Sequence, residues 1–373
     1  MITGIGAAQG LASGQKAALY NTLEELHQYW DRIDIISPYV KGAESEAVYF
    51  DNVHVHCLKT PLFFYPILFI QKILRLHHRA PFDLMTVHEF PPFYNGLAAK
   101  IINWQTQVPY ILEIHHIPGY PRAANFKEFI YRNLMRLFIR FDAASAQSIR
   151  VVNQKETPDF LIYSGVPAEK IKYIPSIYID LNVFYPKSVN KKFDLVYIGR
   201  LEKNKGLVGL IKAIKEIKKT RPQTTLVIGG IGPMKKQLEN EVKKLGLDGN
   251  VFFQGWLNDS SEVALLMNQS RIFVNPSFNE GGPRVAIEAM ACGLLVASTR
   301  VGIMNDVIRD GISGIFIDWD YKKMAQKLLE ILDDNQKIEI ISSESIKIAN
   351  EFDKVRIINK YASELTEIIN KNE

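Results

Sequence analysis

Hydrophobic positions along the chain fall into two alternating kinds of segment. Short runs rich in β-branched residues, IDIISPY at 33–39, VHVHCL at 53–58, FDLMTVHEF at 82–90, YILEIHH at 110–116 and IRVVN at 149–153, are separated by longer stretches with helical periodicity. Such strand-helix alternation predicts a parallel sheet wound by helices on both faces. The rhythm restarts after Pro186 with FDLVYIGR (193–200), TTLVIGG (224–230), VFFQGW (251–256), RIFVNPS (271–277), LLVAST (294–299) and GIFID (314–318). Two successive α/β units follow, with a linker near 180–190. The closing segment, 344–373, reads as helix, with Phe352, Val355, Ile358, Tyr361 and Leu365 three or four apart on one face, and could pack on either unit.

Composition supports that division. A chain of 373 residues exceeds what one core usually supports, and 47% apolar with 23% charged residues is ordinary for a globular protein. Cys57 and Cys292 lie far apart, form no metal-ligand spacing and read as core thiols of a reducing compartment. The opening MITGIGAAQG has no basic region leading into an apolar one, and no apolar run approaches about 18 residues. The expected location is therefore cytoplasmic. A net charge of +5 suits an anionic substrate or an anionic membrane surface. Nucleic acid is not an expected partner, because no aromatic-and-basic module or zinc spacing accompanies the charge. PLFFYPILFIQKILRLHHR (61–79), with Lys72, Arg75 and Arg79, and RNLMRLFIRF (132–141) could rest on an anionic leaflet; the plainer reading is a core helix with a basic outer face.

Two segments carry the candidate chemistry. In GRLEKNKG (199–206), Gly199 permits close backbone approach, while Arg200 and Lys205 put two cations at a strand end, beside a helix N-terminus. A diphosphate suits that setting; a solvated basic loop is the plainer alternative. In PSFNEGGPRVAIEAMACGLLVAS (276–298), a strand ends at Ser277, a Gly281-Gly282-Pro283 turn follows, and a helix runs from about Pro283 to Cys292, with Gly293 beyond its end. The amides of Arg284 and Val285 can meet a phosphate or sugar oxygen, and Glu280 and Glu288 can accept from ribose and sugar hydroxyls. Glu288 sits among Ala286, Ile287, Ala289 and Met290, where an unpaired carboxylate is costly.

With these motifs the sequence resembles glycosyltransferase family 4, the retaining enzymes of the GT-B fold. The resemblance runs through SGQKAALYNTLEEL (13–26), EIHHIPG (113–119), GVPAEKIKYIPS with DLNVFYP (165–186), IGRLEKNKG (198–206), and EGGPRVAIEAMACG (280–293) leading into DGISGIFID (310–318). It implies two Rossmann-like doubly wound domains. Residues 1–183 would form an acceptor-side domain and 184–351 a nucleotide-sugar domain, with a last helix, about 352–373, crossing back to the first. Arg200 and Lys205 would hold the donor diphosphate, Glu288 the ribose and Glu280 the transferred sugar. Gly14 would lie near the distal phosphate, and His115, chosen over His116 only by the alignment, beside the sugar. Trp256 and Leu257 would border the base.

The resemblance further implies transfer from a nucleotide-diphosphate donor, a UDP-sugar first and GDP-mannose second, to a glycan or lipid-linked acceptor; peripheral contact with the inner face of the membrane is the option that the basic segments 61–79 and 132–141 leave open. No cofactor is expected. DWD at 318–320 looks like a metal pair, but reads better as a strand end opening a helix, and the GT-B fold needs no metal. Nucleotide-sugar epimerases and phosphorylases share the fold, and a non-catalytic nucleotide-sugar-binding protein would keep it; a phosphorylase would want a cofactor-lysine motif that is missing. Departures from the pattern are a first strand reduced to MIT before Gly4, Ser13 and Pro283 where glycine is common, and Ile177-Tyr178 in place of Asn-Gly in the linker.

Overall fold

The computed structural model describes residues 7–14, 18–39, 43–58, 65–91 and 93–370. The short strand expected at the start of the chain lies outside them. In the first domain the strands are β1 (Ile33–Pro38), β2 (Glu46–Tyr49), β3 (Val53–Leu58), β4 (Met85–His88), β5 (Tyr110–Ile114), β6 (Ser148–Val151) and β7 (Ile171–Tyr173). They pair in the orders β1-β3-β2 and β4-β5-β6-β7. All pairings are parallel except β2 with β3. That antiparallel pair turns through Phe50 and Asp51, both at positive φ (51° and 64°), the backbone hand that matches the twist of a tight hairpin.

The second domain is a single parallel sheet of β8 (Phe193–Ile198), β9 (Leu226–Gly229), β10 (Val251–Gly255), β11 (Ser270–Asn275), β12 (Leu295–Ser298) and β13 (Ile315–Phe316). Its order is β10-β9-β8-β11-β12-β13. Alternation along β8 shows why it is wound on both faces: Leu195 and Tyr197 enter one apolar cluster with the helix Leu207–Ile217, whereas Val196 and Ile198 enter the opposite one with the helix Arg284–Ala291. Counted from β8, the order is that of a doubly wound sheet that reverses direction between β8 and β11. At such a switch point the connections leave toward opposite faces of the sheet, and a crevice lies beyond the strand ends.

The chain crosses between domains twice. In the linker, Ile177 and Ile179 bury into the second domain and Tyr178 into the first. The departure from Asn-Gly is thus accommodated by side chains that alternate between two cores. The return crossing follows the helix Asn335–Ala349 and a short turn, Asn350–Phe352; Ile179 donates its N–H to the Phe352 carbonyl at 2.7 Å and Lys354 donates to the Ile179 carbonyl at 3.1 Å. The helix Lys354–Asn370 then packs on the first domain through Ile357, Ile358, Tyr361, Ala362, Leu365 and Ile368. The single apolar face expected from Phe352 onward is corrected here. The turn resets the helical phase, and Val355 is exposed.

Candidate active site

The loop after β8 (199–206) and the loop after β11 (276–283) face each other across the switch point. Lys203–Lys205 forms a single 3₁₀ turn closed by Gly206 at φ +69°, which starts the helix Leu207–Ile217. A side chain at Gly206 would sit 2.0 Å from the Pro276 carbonyl. The loops therefore touch through backbone, and the Phe278 N–H reinforces this by donating to the Asn204 carbonyl at 2.7 Å. The Ser277 carbonyl accepts from Thr299 Oγ1 at 2.6 Å and from Trp319 Nε1 at 2.9 Å. Asp320 caps the helix Tyr321–Leu332 by accepting from the N–H groups of Lys322 and Lys323. Among the described residues no group of three His, Cys, Asp or Glu side chains could hold a metal ion.

Lys205 Nζ forms an ion pair with Glu280 Oε1, and Ser277 Oγ donates to the same oxygen at 3.0 Å. Both side chains of the pair are largely buried. Arg200 is held apart from them: its side chain is 73% exposed and pairs with Glu202 at 2.9 Å. The two expected diphosphate cations thus lie on one loop but face different carboxylates. Gly199, at φ +156°, lies over the Tyr197 hydroxyl.

The helix Arg284–Ala291 opens toward the same crevice. Pro283 stands just before its first turn, and the opening backbone bond runs from the Ala286 N–H to the Pro283 carbonyl at 2.9 Å. Among the described residues the N–H groups of Arg284 and Val285 have no partner, as expected of a helix start. Glu288 is buried and accepts no side-chain hydrogen bond from the described residues; burial pushes its pKa up to about 7, with Arg284 opposing the shift. The Arg284 guanidinium stacks on Tyr178 at 4.4 Å from the ring centre. Gly282 has no room for a side chain beside Ile177. Trp256 stands exposed after β10, while Leu257 packs against Gly229 and the second domain's core.

The first domain closes the crevice from the other side. A side chain at Gly281 would fall 1.6 Å from the His115 carbonyl, so the 276–283 loop lies on the end of β5. Asn279, fully buried, shares a hydrogen bond with His116 Nε2 at 3.0 Å, and donates to the Arg122 carbonyl at 2.8 Å and to Glu128 at 2.9 Å. Asn153 donates to the Gly281 carbonyl at 3.2 Å, and Glu156 accepts from the Gly302 N–H at 2.8 Å. Of the adjacent histidines, His116 is thus an interdomain strut. His115 keeps a third of its side chain exposed and has its Nε2 3.4 Å from Glu113 Oε2.

Glu113 belongs to a buried charge network beneath His115. Its Oε1 accepts from Arg150 Nη1 at 2.9 Å and from the Tyr361 hydroxyl at 2.5 Å, and Arg150 lies over the Tyr361 ring at 3.8 Å. Arg150 also donates to the Ile174 and Pro175 carbonyls. Burial opposes ionisation of Glu113, but the Arg150 guanidinium with His115 and Tyr361 holds its carboxyl well below the usual carboxylate range. His88, 4.5 Å from His115 between ring centres, is pushed down to about 3 by burial and by His115. Gly14, at φ +83°, follows the helix Ala7–Ala12 with open space where a side chain would stand. Its N–H donates to the Leu11 carbonyl at 3.0 Å, a bond local to that helix end, and none among the described residues ties it to the crevice loops of the second domain.

Glu113, Arg150, Asn153, Glu156, Asn279 and Tyr361 are not among the residues that the sequence motifs single out. Arg150 and Asn153 both lie in the segment IRVVN, and a charged residue inside an apolar strand, with a polar amide just past its end, is the signal that could have found them. Tyr361 offers none, because its spacing matches an ordinary core helix.

Two Rossmann-like domains closed around a switch-point crevice, with a last helix crossing back, define a GT-B fold. Similarity to known proteins agrees with that class. Residues 13–176 match a glycosyl transferase 4-like domain and residues 181–348 match glycosyl transferases group 1. The chain belongs to the group 1, family 4-type glycosyltransferases. Among curated relatives, D-inositol 3-phosphate glycosyltransferase of Arthrobacter sp. is 30% identical over 171 residues, which is 42% of this chain and 40% of that protein. The matched region thus spans less than half the length of this relative. Among solved structures, sucrose-phosphate synthase from Thermosynechococcus elongatus superposes with a TM-score of 0.81 at 18% identity, over 99% of both chains. HepE of Anabaena, in complex with UDP and glucose, superposes with a TM-score of 0.74 at 20% identity, over 98% of both.

Proposed function

We propose that this chain transfers a sugar, with retention of configuration, from a nucleotide-diphosphate donor to a glycan or lipid-linked acceptor. A UDP-sugar is the favoured donor, in keeping with the UDP present in the HepE complex. The observation that carries the reading is the convergence at one switch point of Lys205, Glu280, the free amides of Arg284 and Val285, and the buried Glu288, with the His115 carbonyl lying against Gly281 from the first domain. Cations and amides suit a diphosphate, and a buried carboxylate without a partner suits ribose hydroxyls.

In this reading the bond between the sugar's anomeric carbon and the distal phosphate oxygen breaks as the acceptor hydroxyl attacks from the same face. The hydroxyl proton passes to the departing phosphate. Negative charge grows on that phosphate, and Lys205, the helix amides and, once it has moved, Arg200 meet it, an effect typically worth about 3–4 kcal/mol of barrier per preorganised donor. Arg200 must leave Glu202 to take part. The test is a thermal-shift panel of nucleotides, followed by nucleotide release with matched sugars. Stabilisation by UDP above GDP and release of UDP from a UDP-sugar are the expected results. Preference for GDP would redirect the donor to GDP-mannose. Stabilisation without release would point to a binding protein, and absence of both would sink the proposal.

A further inference from the structure

The helix Phe126–Ala143 is apolar on two sides. Met135, Ile139 and Ala143 enter the first domain's core. Phe126, Ile130, Leu134, Leu137 and Phe141 follow a spacing of four, four, three and four residues and form a second stripe that is exposed. Phe126 is 75% exposed and Leu137 70%. The neighbouring helix Tyr94–Thr106 adds Trp104, 75% exposed, and Tyr65–Arg79 beside it leaves Ile67 and Leu68 in the open. A contiguous apolar stripe of this kind marks an interaction surface.

The charge on this surface has one sign. The three helices hold eight lysines and arginines against two carboxylates, Glu128 and Asp142. Neither carboxylate is available outward: Glu128 accepts from Ala124 and Asn279, and Asp142 is buried. Lys127 and Arg140 are exposed beside the stripe, and the Lys100 ammonium sits 3.8 Å from the centre of the Phe141 ring. The chain as a whole carries 45 basic against 40 acidic residues, so the excess is concentrated here. An isologous dimer through this face would set cations against the same cations. An anionic bilayer leaflet meets both requirements, since it takes Phe, Leu and Trp into the acyl boundary and lysine and arginine into the headgroups.

We propose that the outward face of the helices Tyr94–Thr106 and Phe126–Ala143 seats the protein peripherally on an anionic bilayer. The surface begins at the crevice, because Glu128, in the first turn of the second helix, bonds Asn279 of the 276–283 loop. An acceptor carried on a lipid would then reach the first domain along that helix, a consequence that rests on the proposed transfer reaction, whereas the binding itself does not.

The test is co-sedimentation of the full chain with vesicles of phosphatidylcholine alone and with about 30% phosphatidylglycerol. Partition onto the anionic vesicles should exceed that onto neutral ones at least about tenfold and should fall in about 0.5 M salt. Leu137→Glu with Phe141→Glu, and separately Lys127→Glu with Arg140→Glu, should each lower it about tenfold with unchanged melting temperature, since all four positions are exposed. Equal partition onto both vesicles, wild-type binding by both double variants, or a wild-type dimer that Leu137→Glu dissociates would overturn the proposal. Nucleotide thermal shifts run on the same variants separate the two readings: they should match wild type, and their absence in wild type would count against sugar transfer while leaving the surface intact.

Discussion

Replacing Tyr361 by phenylalanine removes one hydroxyl from a buried charge network and nothing else. That hydroxyl donates to Glu113 at 2.5 Å, and neither residue has appreciable contact with solvent. A hydrogen bond to a charged group contributes about 1.5–3 kcal/mol. Glu113 keeps Arg150 at 2.9 Å on the same oxygen, so the loss should fall near the lower part of that range, about 2 kcal/mol. Phenylalanine retains the ring under the Arg150 guanidinium, which keeps packing constant. At about 2–4 °C per kcal/mol for units of this size, the first domain should melt about 4–8 °C lower. Calorimetry or circular dichroism reads this directly. The control is Tyr29→Phe, whose hydroxyl bonds Asn359 on the same helix but at an exposed site, and which should shift melting by less than about 1 °C. Because Glu113 lies 3.4 Å from His115, kcat should also fall more than donor KM rises. A Tyr361→Phe protein that melts with wild type and turns over normally would show that the crossing helix only packs, and that the network orients nothing.

Other predictions concern the crevice. The Glu288 pKa is raised to about 7, so the folded protein holds this proton more tightly than the unfolded chain; stability from this group should fall by about 3 kcal/mol as pH rises from about 4.5 to 7, and Glu288→Gln should abolish that slope in pH-dependent melting. Nucleotide affinity should rise over the upper part of the same window as the carboxylate ionises, and calorimetry in buffers of different ionisation enthalpy should register proton release near pH 7 in wild type but not in Glu288→Gln. Glu288→Ala should chiefly raise donor KM and Glu280→Ala chiefly lower kcat; equal defects would contradict the separate roles. Alanine at Arg200 or Lys205 should each lower kcat/KM about 100-fold, Arg200→Lys should recover part of it, and activity should survive EDTA. Inhibition by EDTA that magnesium reverses would move the diphosphate elsewhere.

The strands of the second domain are legible in the sequence because the central ones are buried on both faces and read as uninterrupted apolar runs. Leu195 through Ile198 serve two cores at once, a demand that only such a run satisfies. β2 is not legible for the opposite reason: EAVY at 46–49 is an outer strand with alternating partial exposure, and its short pattern resembles a loop. The phase reset at Asn350–Phe352 escapes notice because it is set by two backbone bonds to Ile179, far away in sequence, and not by a local breaker.

The site divides along the same line. Residues on the two loops of the second domain could be proposed together because a switch point gathers the loops that follow β8 and β11, and both motifs sit immediately after those strands. Residues whose part depends on the domains meeting carry no such local mark. Asn279 lies inside a motif already singled out, yet its three partners, His116, Arg122 and Glu128, are all in the other domain. Tyr361 reaches Glu113 only because the chain crosses back, and Glu113 in turn stands beside His115. The crossing helix therefore adds to the first domain a hydroxyl at a buried carboxylate. It is this long-range contact, more than the apolar face that announced the helix, that links the end of the chain to the crevice.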